Sequence, residues 1–70
     1  MNTTKFEDLL NTELSTRDED ETIEAYLFLC RSKDRVRNAY RKKKLGTLIR
    51  KEDPYAFSSL ENDYKREGKI

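Results

Sequence analysis

Histidine and tryptophan are absent from this sequence, cysteine and proline occur once each, and glycine only twice. Each shortage removes a class of explanation. Without histidine the chain lacks the commonest general base near neutral pH. A single thiol, Cys30, cannot close a disulfide within the chain, and with no histidine beside it the usual zinc ligand sets are out of reach. Cys30 reads as a small buried hydrophobe, because no second group is present to activate it as a nucleophile. No apolar run approaches the ~18 residues of a membrane span. Met1 to Lys5 do not lead from a cationic stretch into an apolar one, so no secretory signal is expected. An unpaired cysteine suits a reducing compartment, which makes a cytoplasmic location the expectation. The sequence also lacks a Gly-rich phosphate loop, metal-ligand spacing and a Ser/His or Cys/His pair. It therefore reads as a non-enzyme with no catalytic residue, metal, cofactor or small-molecule substrate.

What is present is charge: 41% of the 70 residues are Asp, Glu, Lys or Arg, and the formal net charge is only +1. Leu, Ile, Val and Phe make up about a fifth of the chain, just above the compositional boundary for disorder. One small all-α domain is expected. Area scaling gives it a folded surface of roughly 4,600 Å². A core of that size supplies only ~3–5 kcal/mol, so a homodimer or a protein partner is an expected source of further stability.

The pattern predicts about four short helices, over residues 4–15, 19–31, 33–45 and 54–67. Thr4 and Glu7 have capping-box spacing, and Phe6, Leu9, Leu10 and Leu14 then share one face. Asp18 and Glu21 repeat the cap-then-acid pattern, and the acids Asp18 to Glu21 suit the positive end of a helix dipole. The centre of the second helix, Ala25 to Cys30, is apolar all round, which places it either inside the fold or at an interface. A buried strand is the other reading of so short a run, and the acidic lead-in favours helix. Tyr26, Leu27, Phe28 and Leu29 are accordingly the candidate self-association surface. Ser32 caps the third helix, with Gly46 expected as its left-handed terminus. Thr47 to Lys51 reads as a short strand or a further helical turn. Asp53-Pro54 marks the start of the last helix, whose Phe57, Leu60 and Tyr64 share a face and which stops at Gly68, leaving Lys69-Ile70 frayed. Tyr55 is expected to pack on the core or cap, with base stacking as the alternative.

The near-zero net charge hides a segregation. Residues 1–30 carry two basic and eight acidic groups, whereas residues 31–51 carry ten basic groups against Asp34 alone. On the third helix Lys33, Arg37, Arg41 and Lys44 fall within roughly an 80° sector at 3.6 residues per turn. Asn38 and Asp34 border that sector on one side and the seam of Val36, Ala39 and Tyr40 on the other. Docked through that seam, the helix should hold a cationic ridge clear of the protein. Such a ridge points to nucleic acid, with Lys and Arg on phosphates and Arg37 and Asn38 within reach of base edges. The candidate contacts are Lys33, Arg35, Arg37, Asn38, Arg41, Lys42, Lys43, Lys44, Arg50 and Lys51. Duplex DNA is the expected ligand, RNA the alternative, and about six neutralised phosphates would give a salt slope of roughly −5. A solvated face, or pairing with the acidic third, is the plain alternative for the same residues.

Ser32-Lys33-Asp34-Arg35-Val36-Arg37-Asn38-Ala39-Tyr40 resembles the recognition helix of helix-turn-helix regulators of the winged-helix, gluconate-repressor type, where a Ser cap precedes a Val-Arg-x-Ala pattern. Residues 23–49 carry the resemblance, with Leu29 at the apolar end of the preceding helix and Leu48 and Ile49 near the apolar pair that follows. It implies that Ser32, Lys33, Arg35 and Arg37 face a major groove while Val36 and Tyr40 hold the helix on the core. Cys30 and Arg31 depart from the Gly and apolar residue of the family's turn, and Asp53-Pro54 follows too soon for a two-stranded wing. A second functional class is a small helical inhibitor or adaptor that presents its acidic N-terminal third and apolar second helix to a protein partner.

Overall fold

The computed structural model describes residues 3–70 and is all-α, with no strand among them. Five helices follow in order: α1 (Thr3–Ser15), α2 (Glu19–Tyr26), α3 (Lys33–Arg41), α4 (Leu45–Glu52) and α5 (Pro54–Arg66), with a 3-10 turn at Leu27–Leu29 between α2 and α3. The accessible surface is 4,718 Å², close to what the chain length dictates. Three of the expected starts are made by the side chains that the sequence offers. The Asp18 carboxylate accepts from the Glu21 N–H at 3.0 Å, the Ser32 hydroxyl from the Arg35 N–H at 3.3 Å, and the Asp53 carboxylate from the Ala56 N–H at 3.1 Å. Pro54 occupies the first turn of α5, where its missing N–H is no loss.

The middle of the chain differs from expectation. The second helix stops at Tyr26 rather than Arg31, and the apolar run continues as a 3-10 turn with no fully buried residue. The third helix ends at Arg41, not Leu45, because Lys43 takes a left-handed conformation (φ 57°). Gly46 is not that terminus: it lies inside an additional helix, α4, that the strand-or-turn reading of Thr47 to Lys51 only half anticipated. After α3 the chain continues directly into α4 and α5.

The core is built from one face of each helix: Phe6, Leu10 and Leu14 of α1, Ile23, Val36, Leu45, Ile49, Phe57 and Tyr64. Phe6 stands edge-on to two rings, with centroids 5.1 Å from Phe57 and 5.4 Å from Tyr64. α1 packs chiefly on α4, and Gly46 makes that approach close. The Asn11 side chain, buried on α1, accepts from the Thr47 N–H at 2.9 Å and donates to the Thr47 hydroxyl at 3.1 Å. Thr47 in turn donates to Glu7 at 2.6 Å, and Glu7 holds Arg50 at 2.7 Å. Asn11 thereby caps in trans a helix start that has no side-chain cap of its own. Of the expected Thr4–Glu7 capping box, the Thr4 side chain lies outside the described residues. Glu7 is turned toward α4 instead.

The C-terminal residues are tied down rather than frayed. α5 ends in a Schellman turn, with Gly68 left-handed (φ 76°), its N–H donating to the Lys65 carbonyl and that of Lys69 to the Tyr64 carbonyl. The Lys69 ammonium lies 4.9 Å from the Tyr64 ring centre and 3.5 Å from Glu13. The Tyr64 hydroxyl donates to Glu13 at 2.9 Å. Burial pushes the Glu13 carboxyl up, but the Tyr64 hydroxyl, Lys69 and Arg17 together outweigh it and hold the group below its ordinary value. Burial and the Glu13 hydrogen bond push Tyr64 from 10 up to about 12. A group raised in the folded state stabilises below its unfolded pKa and loses that contribution as pH climbs through the folded one. Stability should therefore fall between about pH 10 and 12, and Tyr64→Phe should fall less steeply there. Urea midpoints of both proteins across that window check it; parallel slopes would exclude a neutral, bonded Tyr64.

Candidate nucleic-acid interface

α3 docks as its apolar seam requires. Val36 is fully buried, Ala39 and Tyr40 are half-buried, and the Tyr40 hydroxyl donates to the Arg17 carbonyl. The cationic stripe beside that seam, however, does not stand clear of the protein. Lys33 meets Glu24 at 3.2 Å, and Arg37 and Arg41 both meet the same oxygen, Oε1 of Glu19, at 3.4 and 3.0 Å. The order of these pairs shows α2 and α3 running in opposite directions, so the stripe lies along the acidic edge of α2. On the other flank of α3, Arg35 meets Glu52 of α4 at 2.8 Å, and Arg50 is held by Glu7. Five of the ten expected nucleic-acid contacts are thus engaged by carboxylates of the chain itself. The physical reason is topological. Helical angles place the stripe next to the seam, and α2, carrying the opposite charge, packs against that side.

Of the expected cationic contacts, Lys42, Lys43, Lys44 and Lys51 make no ion pair among the described residues, and neither do Lys5, Arg31, Lys65 and Arg66 elsewhere; three of the four are consecutive where α3 ends. Lys42, Lys43 and Lys44 are all exposed, as are Arg31 and Lys51. The Lys42–Lys44 turn is fixed by a second Schellman motif. Lys43 N–H donates to the Tyr40 carbonyl at 3.1 Å and Lys44 N–H to the Ala39 carbonyl at 2.8 Å. This is the same turn that ends α5, where glycine fills the left-handed position. Lys43 fills it here at a backbone cost of roughly 1–2 kcal/mol. Arg31 and Lys51 lie at the far ends of α3 and α4, on the order of 10 Å from the turn along the helix axes. Asn38 is exposed on α3 beside Asp34, on the face turned away from the core.

The four apolar interface candidates sit at the surface end of α2. Tyr26, Leu27 and Leu29 are half-buried, while Phe28 is 56% exposed with its ring 6.3 Å from that of Tyr26. Burial pushes the Tyr26 hydroxyl up, with Arg17 opposing. Beside Tyr26 lies an open groove of about 310 Å³ lined by Arg17, Glu21, Thr22 and Ala25. Tyr55, expected to pack on the core or cap, is instead 90% exposed, since Pro54 and the Asp53 cap direct the first turn of α5 outward. Cys30 is half-buried, with its thiol 3.8 Å from the Ser32 carbonyl. Among the described residues no side chains group to hold a metal ion, and no helix is long and apolar enough to cross a membrane. Comparison with known proteins finds no matching family model, no similar curated sequence and no similar solved structure.

Proposed function

We propose that this chain is a small cytoplasmic regulatory protein that binds the phosphate backbone of nucleic acid, duplex DNA before RNA, at the Lys42–Lys44 turn. The observation that carries this reading is three consecutive exposed lysines without carboxylate partners among the described residues, one of them in a left-handed conformation where glycine costs least. Retaining lysine there sacrifices stability for a cation, which is how binding sites commonly differ from structural ones. Arg41 adjoins the turn, and Asn38 lies one helical turn before it on the exposed face.

Three phosphates neutralised by Lys42, Lys43 and Lys44 give a slope of about −2.7 in log K against log salt for duplex DNA. This is shallower than the roughly −5 that the whole basic set would give. A fluorescence-anisotropy titration of a short duplex at several salt concentrations measures it. Lys43→Gly supplies the sharper readout, because its two effects have opposite signs. It should raise folding stability by about 1 kcal/mol and reduce the magnitude of the slope by about 0.9. A flat salt response in the wild type would sink the reading. That result would favour the second one, a protein partner docking on the acidic N-terminal third and on Tyr26 to Leu29, which the exposed Phe28 supports.

A further inference from the structure

The geometry points to a latent phosphate-binding site formed by Arg37 and Arg41, whose occupant in this state is the Glu19 carboxylate. It rests on the nucleic-acid reading and extends the contact from the lysine turn up α3. One oxygen, Glu19 Oε1, receives the Nε groups of both arginines at 3.4 and 3.0 Å. Two guanidinium groups one helical turn apart, converging on a single anionic oxygen, are the arrangement that a phosphodiester oxygen would use. Glu19 is not needed to start α2, because Asp18 caps that helix through the Glu21 N–H. Its two acidic neighbours in the first turn, Asp20 and Glu21, are exposed and make no ion pair among the described residues, so of the first-turn acids only Glu19 reaches across to α3.

The pairing is also open to exchange. The side chains of Arg37, Arg41 and Glu19 are 37%, 65% and 32% exposed. Ion pairs so wetted hold weakly and are screened by salt. A polyanion docked at Lys42 to Lys44 brings its next phosphates toward Arg41 and then Arg37, where they compete with one carboxylate. In the wild type Glu19 discounts those two contacts; with the carboxylate neutralised both become available.

Glu19→Gln and Asp20→Asn change the net charge by the same amount from adjacent positions, and only the first touches the arginines. Titration of a fluorescein-labelled mixed-sequence duplex should give Glu19→Gln a slope steeper than wild type by about 1.8, near −4.5. Between 0.2 and 0.05 M salt it should therefore gain roughly tenfold more affinity than the wild type does. Asp20→Asn should keep the wild-type slope. Binding by Glu19→Gln alone would support the site, as one that Glu19 fully masks, and would overturn the lysine-turn reading. Equal slopes for all three proteins would overturn the site while leaving the lysine-turn reading intact. No binding by any of them would overturn both. Circular dichroism confirms that each variant is folded before it is compared.

Discussion

Phe6→Ala is expected to abolish cooperative folding at room temperature. Phe6 is fully buried and stands at the meeting point of α1 and α5, edge-on to Phe57 and Tyr64. Truncating a buried Phe to Ala costs about 3–5 kcal/mol. Edge-to-face pairs of this kind add about 0.5–1.5 kcal/mol beyond burial. A single core of this size supplies only ~3–5 kcal/mol in total. Loss and supply are equal, so the variant should show a sloping, non-cooperative thermal trace by circular dichroism. Phe6→Leu keeps most of the volume and loses the ring geometry, and should retain a transition at lower temperature. A sharp Phe6→Ala transition near the wild-type midpoint would mean that the Phe6–Phe57–Tyr64 ring cluster is not what holds the chain together. Dimerisation would then be the first alternative to examine, by repeating the melt at several protein concentrations.

Phe6 also shows which parts of this fold are legible in the sequence. Its place in the core follows from the spacing of Phe6, Leu10 and Leu14 alone, and all three are fully buried. The starts of α2, α3 and α5 were equally readable, because an N-cap is a contact between a side chain and an amide three residues on. Helix ends and helix neighbours are not local in that sense. The end of α3 is a Schellman turn whose left-handed residue is Lys43, and nothing in a lysine announces that conformation. The nearest glycine, Gly46, therefore drew the boundary past its true position. Lys33, Arg37 and Arg41 do share a stripe, since angles around one helix axis follow from residue spacing, but Lys44 lies past the end of α3 and drops out of it. Which flank of the helix faces a neighbour depends on chain topology, and that decided the stripe's fate. The excess of acid in residues 1–30 was visible, yet only the reversed run of α2 against α3 places Glu24 at Lys33 and Glu19 at Arg37 and Arg41. A basic helix in a chain with an acidic one is thus a poor measure of surface charge until the pairing of the two is known.

Gly46→Ala carries the second large effect, and its sign is diagnostic. In an exposed helix interior, glycine is worse than alanine by about 0.5–1 kcal/mol, so the substitution should stabilise. Gly46 is buried within α4, and a Cβ there would lie 2.7 Å from Asn11 Oδ1, 3.0 Å from the Asn11 main-chain N and 3.1 Å from the Leu10 Cβ. The last two are main-chain or near-main-chain atoms of α1 that cannot swing aside. The helices must separate, which loosens Leu10 and Ile49 and stretches the Asn11–Thr47 hydrogen bonds. Overpacking of this kind costs about 1–3 kcal/mol, enough to exceed the gain in helix propensity. The urea midpoint should fall with an unchanged m-value. In an Asn11→Ala background the same substitution should cost less but still destabilise. The 2.7 Å contact is then gone, whereas the 3.0 Å contact belongs to the backbone. A Gly46→Ala variant as stable as the wild type, or more so, would show that α1 and α4 do not touch at Gly46. Such a result would not return this glycine to the role of a left-handed helix terminus either, because a Cβ is penalised there too.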